Sequence, residues 1–153
     1  MKTYIGVKEI KAKPMTLQEY CDYRGWELPK DVDGSDKVYL VEYSKDPDSK
    51  QNHPDHEGYI SMSPKHVFDK AYRENVPLEK LENPEEMTTY QIGVVEKAYE
   101  LDDDIDKLEN RLITPEFAEL EKDEQGRLKS QLLAMKAYLT ILIDRINNFE
   151  IKK

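Results

Sequence analysis

A single cysteine, Cys21, occurs in this sequence, so no disulfide can close within the chain. Six glycines are scattered singly, which excludes a phosphate-cradling glycine loop and leaves hydrolase and kinase readings without residues. No apolar run approaches the roughly 20 residues of a membrane span, and no signal-peptide pattern occurs, so no membrane role is expected. Basic residues form no cluster or stripe, which argues against general binding to DNA or RNA phosphates. Formal net charge is -9, and the excess is uneven. Residues 1–75 carry 12 basic and 14 acidic side chains, whereas residues 76–153 carry 11 and 18. An anionic ligand must therefore be held by discrete groups against the overall field. These absences predict a soluble, cytoplasmic protein of one or two small domains.

What the sequence does have is helical periodicity. Leu128, Leu132, Met135, Leu139, Leu142, Ile146 and Phe149 alternate at spacings of four and three, the a/d seam of a helix. Val94, Ala98, Leu101, Ile105, Leu108 and Leu112 repeat the spacing upstream. The connection is short and holds Pro115, so the two helices are expected to form an antiparallel hairpin, closed at its end by Phe117 and Leu120. Gly93 is a local weakness in the first helix. Leu133, Ile141 and Ile143 widen the apolar surface beyond one seam, which predicts burial against other copies of the chain or the N-terminal region.

The first 73 residues read as a small α+β module. A strand is expected over Tyr4–Ile10, ending before Lys13-Pro14. Thr16 to Glu19 has capping-box spacing for a short helix carrying Leu17, Tyr20 and Cys21 and stopping at Gly25. Val38–Tyr43 is the clearest strand, and Gly58–Met62 is expected to pair with it. Ser63-Pro64 reads as an N-cap with proline at the first helical position, opening a helix with Val67, Phe68, Ala71 and Tyr72 on one face. Trp26, Val41 and Ile60 are the expected core, and 44–57 the expected mobile loop. The predicted organisation is 1–73 as module, 74–87 as linker with a helical turn at Leu78–Leu81, and 88–150 as hairpin, an α+β chain overall.

Several groups could carry chemistry. His53 and His56 lie three apart near Asp48 and Asp55, but with no further ligand nearby they read as a solvated loop, and no metal is expected. His66 suits a surface or packing position, and Cys21 lies on an apolar stripe without a base beside it, so it reads as core. Asp102, Asp103, Asp104 and Asp106 read as the wet side of a helix. Tyr90, Lys97, Tyr99, Lys136, Tyr138 and Arg145 differ, because they interleave rings and cations on two helices expected to run side by side. Rings stack on nucleobases and cations neutralise phosphates. The same residues also suit plain packing, for Tyr99 and Tyr138, and plain solvation, for Lys136.

The second half resembles a known family. Tyr90-Gln91, Val94-Val95-Glu96, Glu100-Leu101-Asp102, Ile105, Lys107-Leu108-Glu109, Phe117, Leu120, Glu124, Leu128, Gln131-Leu132, Met135, Tyr138-Leu139, Leu142 and Arg145-Ile146 are similar to the phage helical-hairpin domain shared by anti-CBASS and anti-Thoeris signal sponges. Gln131, Tyr138 and Arg145 are its more specific positions. The resemblance implies a homo-oligomer, commonly a hexamer, that binds cyclic oligonucleotides or cyclic ADP-ribose variants without cleaving them. It implies no enzyme and no cofactor. The chain departs from the family at Gly93, where the family carries a basic residue, which leaves Lys97 as the nearest cation on that turn. In the first half, Tyr23-Arg24-Gly25-Trp26, Tyr39-Leu40-Val41-Glu42-Tyr43, Gly58-Tyr59-Ile60-Ser61 and Ser63-Pro64-Lys65 resemble a phage module of unassigned role. The expected pocket lies at a subunit boundary, with Tyr90 stacking on a base, Lys97 meeting a phosphate, and Arg145 of a neighbouring chain serving a second pocket. The alternative is an oligomeric adaptor without a small-molecule ligand, and a small enzyme acting on the signal ranks below both.

Overall fold

The computed structural model describes residues 1–45, 50–76, 78 and 86–149. The chain divides into two compact units, one spanning Lys8–Tyr72 and the other Arg73–Lys153 together with Met1–Val7.

The first unit is a three-stranded antiparallel sheet in the order β1 (Ile10–Thr16), β2 (Lys37–Tyr43), β3 (Ile60–Pro64). Helix α1 (Leu17–Arg24) follows β1, and α2 (Lys65–Ala71) follows β3. The strand expected over Tyr4–Ile10 lies elsewhere: residues 1–9 have no regular structure, and β1 begins where that strand was to end. A strand needs a partner, and the β1–β2 ladder ends at Ile10 opposite Tyr43, the last residue of β2. Pro14 sits inside β1 opposite Tyr39. It is tolerated because β1 is an edge strand, where a residue without N–H costs nothing on the outer side.

The α1 entry follows its expected capping box. The Thr16 hydroxyl accepts from the Glu19 amide at 3.2 Å, and the Glu19 carboxylate accepts from the Thr16 amide at 2.6 Å. The amides of Leu17 and Gln18 donate to the carbonyls of Asp36 and Gly34, so the helix start is tied to the turn before β2. Gly25 ends the helix at φ 66°, a left-handed conformation that favours glycine. The other expected cap is different. Ser63 and Pro64 remain in β3, opposite Tyr39 and Val38, and α2 starts at Lys65 with no side-chain cap. The ladder bonding that holds Ser63 takes precedence over a helix start.

Tyr20, Val38, Leu40 and Ile60 form the core of this unit, with Met15 and Leu17 packed against it. Val41 and Ile60, expected in the core, are 1 % exposed. Trp26, expected with them, is 54 % exposed. It follows the Gly25 turn out to the rim, where its ring meets Tyr20 edge-on and the Arg24 guanidinium lies 4.5 Å from its centroid. On the other side of β2, Tyr39 stacks on Phe68 at 3.9 Å between centroids, and Phe68 meets Tyr72 at 5.0 Å.

The second unit is the expected hairpin. Thr88 and Gln91 form a capping box at the start of α3 (Thr89–Leu112). Thr114 caps α4 (Pro115–Ala118), whose Phe117 is buried with Leu108 and Leu128 at the closed end. Helix α5 (Lys122–Asn147) runs back. Val94, Ala98, Leu101 and Ile105 pack with Leu139, Leu142, Ile143 and Ile146, both expected seams in one core. Ile143, expected to be buried by other copies of the chain or the N-terminal region, is only 5 % exposed as a member of this core, against which Val76 and Leu78 also pack. Leu133 is half-buried and Ile141 is 48 % exposed. Residues 79–81 of the expected turn at 78–81 lie outside the described residues, as do 46–49 of the expected loop.

Candidate functional site

The a/d seams fix which side chains reach the two long edges of the hairpin. Two contacts identify those edges. At the open end, the Arg145 guanidinium donates to the Tyr90 hydroxyl at 2.5 Å and lies 5.8 Å from the ring centroid. Farther along, Lys136 pairs with Glu109 at 2.6 Å. Tyr90 and Arg145 each immediately precede an a-type position, while Glu109 and Lys136 each follow a d-type position, so the two contacts lie on opposite sides of the seam.

Lys97 lies two helical turns after Tyr90 on α3, and Tyr138 lies two turns before Arg145 on α5. In an antiparallel pair the same register therefore sets Lys97 level with Tyr138, about 10 Å along the edge from the Tyr90–Arg145 pair. Each helix supplies a tyrosine followed one heptad later by a cation, and the reversal of direction places each tyrosine across from the other helix's cation. The edge thus carries the Tyr90–Arg145 contact and, by register, Lys97 and Tyr138 one heptad along it.

Of the six residues singled out from sequence, four share this edge. Tyr90 is 69 % and Tyr138 45 % exposed, so their rings remain accessible to a ligand. Lys97 also pairs with Glu100 on its own helix at 3.3 Å, both of them exposed. Lys136 belongs to the opposite edge, where Glu109 answers its charge. Tyr99 lies off both edges on the outer part of α3 and is 38 % exposed. The acidic run behaves largely as expected: Asp103, Asp104 and Asp106 are exposed, and Lys107 pairs with Asp103 and Asp104. Asp102 is half-buried. Burial first, and then its neighbours Asp106, Asp103 and Glu109, push its carboxyl above the usual value.

Sequence reasoning missed a second polar cluster, in the sheet unit. His53 and His56 were expected to be solvated, but their side chains are only 15 % and 16 % exposed. The His56 ring bonds Glu42 through Nδ1 at 3.0 Å and the Tyr23 hydroxyl through Nε2 at 2.9 Å. Since an ionised carboxylate only accepts, Nδ1 donates to Glu42. Glu42 also accepts from the amides of Glu57 and Gly58. These bonds, led by that of His56, hold its carboxyl below the usual range. His53 stacks on the Tyr23 ring at 4.5 Å between centroids. The side-chain amide of Gln51 donates to three carbonyls of the same segment, and Asn52 bonds both the N–H and the C=O of Ile60. Glu42 lies on the same face of β2 as the core residues Val38 and Leu40, and that acidic residue at an inward-facing position was the available clue. Among the described residues no group of three or more His, Cys, Asp or Glu side chains is placed to hold a metal ion. No described helix is long and apolar enough to cross a membrane.

Comparison with known proteins bears on the hairpin. Residues 88–148 match the family model for Sequestin, a span that contains α3, α4 and α5. No curated protein and no solved structure matches the chain.

Proposed function

We propose that this protein sequesters a cyclic oligonucleotide or a cyclic ADP-ribose-type second messenger and holds it without cleaving it, as a phage counter to CBASS or Thoeris signalling. The Sequestin match supports sequestration, and it covers the helices that carry the candidate site. The observation that carries the finer reading is the edge itself. The exposed Tyr138 ring offers a stacking face, Arg145 and Lys97 are cations that suit phosphates, and Tyr90 and Arg145 are in contact on the same edge of the hairpin. Base stacking tolerates many sequences, and charge-assisted bonds to phosphate are the strong class of hydrogen bond.

An isolated edge is wet, and exposed ion pairs contribute only about 0–1 kcal/mol. The reading therefore places the edge at a boundary between copies of the chain, which supply the walls that exclude water. Ile141, exposed on α5, is a candidate for that boundary. Light scattering is expected to give a mass well above the 18.0 kDa of one chain, and a monomer at micromolar concentration would contradict the assembly.

The deciding experiment incubates the protein with cyclic dinucleotides, cyclic trinucleotides and cyclic ADP-ribose, removes free nucleotide, and heats the complex. Release of intact nucleotide supports sequestration. Release of an altered product would make the protein an enzyme, and no uptake would leave the adaptor reading.

A further inference from the structure

We propose that Tyr90 serves the site as a positioning residue for Arg145, through its hydroxyl, rather than as the platform on which a base stacks. This rests on the sequestration reading above and assigns roles within the same edge.

The geometry gives Arg145 two contacts with Tyr90. Its guanidinium donates to the phenol oxygen, and its central carbon lies 5.8 Å from the ring centroid. A guanidinium at the end of a flexible side chain is thereby fixed in direction. The chemistry of the partner matters, because a phenol is a neutral acceptor. It orients the cation without neutralising it, so the charge stays available to an anion. Lys136 is the contrast, since its partner is the carboxylate of Glu109. The acid next to Arg145 in sequence, Asp144, pairs with Arg73 at 3.5 Å, so its charge is answered by a different cation. The result is a guanidinium held in place with its positive charge intact. A base stacking on Tyr90 needs the ring and has no use for the hydroxyl, whereas a positioned Arg145 needs the hydroxyl.

Tyr90→Phe separates the two roles, because it keeps the ring and removes only the oxygen. Tyr90 is largely exposed, so the variant folds without repacking a core. Binding of cyclic GMP–AMP and of cyclic ADP-ribose is measured by calorimetry on the parent, Tyr90→Phe, Arg145→Ala and the double variant. For the nucleotide that binds the parent, Arg145→Ala is expected to weaken binding about tenfold or more, as for loss of a bond to a charged group. Tyr90→Phe is expected to weaken it severalfold, and the double variant to bind no more weakly than Arg145→Ala alone. If Tyr90→Phe binds like the parent while Arg145→Ala is weakened, the positioning role is overturned and the site stands. If Arg145→Ala binds like the parent, the site itself is wrong. A readout without nucleotide completes the test. The Arg145 side-chain N–H resonance in ¹⁵N NMR is expected to be protected from exchange in the parent and averaged in Tyr90→Phe. An unchanged resonance would overturn the proposal whatever the protein binds.

Discussion

Gly58→Ala should unfold the sheet unit, although it adds a single methyl group. A Cβ built on Gly58 would lie 1.8 Å from the carbonyl oxygen of Tyr43 and 3.0 Å from its carbonyl carbon. Those are backbone atoms of β2, which cannot swing aside as a side-chain tip can. Gly58 is buried, and relief requires the 57–59 backbone to withdraw from β2. That movement pulls on the bond from the Tyr43 amide to the Tyr59 carbonyl at 3.0 Å and on the Gly58 amide bonded to Glu42 at 3.2 Å. Overpacking alone costs about 1–3 kcal/mol. Losing a bond to a charged carboxylate costs about 1.5–3 kcal/mol more. A core of this size supplies only about 3–5 kcal/mol in total, so the loss is comparable to the whole. The single tryptophan, Trp26, lies in this unit, and its fluorescence in urea reports on it separately from the helical hairpin, which dominates circular dichroism. At a slope of about 1 kcal/mol per molar urea, the transition should move down by about 3 M or lose its folded baseline. A midpoint within about 0.5 M of the parent would refute the close-approach argument.

Gly93→Ala should have the opposite sign, since Gly93 is an exposed helical residue and a Cβ there meets nothing within 4 Å; thermal unfolding by circular dichroism should show the hairpin stabilised by about 1 kcal/mol. Leu142→Ala should cost the hairpin about 2–5 kcal/mol, because Leu142 is 1 % exposed at the centre of the helix–helix core; an unchanged melting curve would place that core elsewhere. Glu42 titrates below its ordinary 4.5 because His56, Gly58 and Glu57 bond its charged form, so its contribution is fully present above that value and is lost as pH falls through the lowered one. Urea midpoints of the sheet unit should therefore fall on acidification below about pH 4.5, and Glu42→Gln should flatten that fall.

The hairpin was legible in sequence because its signal is periodic and local. Val94 to Leu108 and Leu128 to Ile146 keep one spacing, and the structure buries those positions together, with Leu132 and Met135 packed against them. The caps at Thr16 and Gly25 were legible for the same reason, since each bond spans only a few residues. What failed was the non-local part. Tyr4–Ile10 has strand composition, but whether it pairs depends on how far the distant β2 extends, and β2 ends at Tyr43. Trp26 looks like core by residue type, yet Tyr20 on α1 occupies that place. His53 and His56 looked solvated because their partners, Tyr23 and Glu42, are distant in sequence. The six candidate residues were found by composition, but the division of five of them between two edges, with Tyr99 off both, needed the register that the Tyr90–Arg145 and Glu109–Lys136 pairs supply.

On the sequestration reading, that register bears on how a chain of net charge -9 would hold an anion. Counting charges over the hairpin predicts repulsion, since the acidic excess is concentrated there. Pairing alters the local balance. On one edge Lys136 and Glu109 cancel, and near the closed half Lys107 answers Asp103 and Asp104. At the open end the pattern reverses: Arg73 answers Asp144, and Arg145 rests on a neutral phenol. Surface charges more than about 8–10 Å apart are largely screened at physiological salt, so a ligand at the open end feels this local arrangement more than the total. The acidic remainder of α3 then acts against polyanions, which must extend along it, and spares a compact anion that reaches only the open end. On the proposed reading, a small cyclic nucleotide meets that condition.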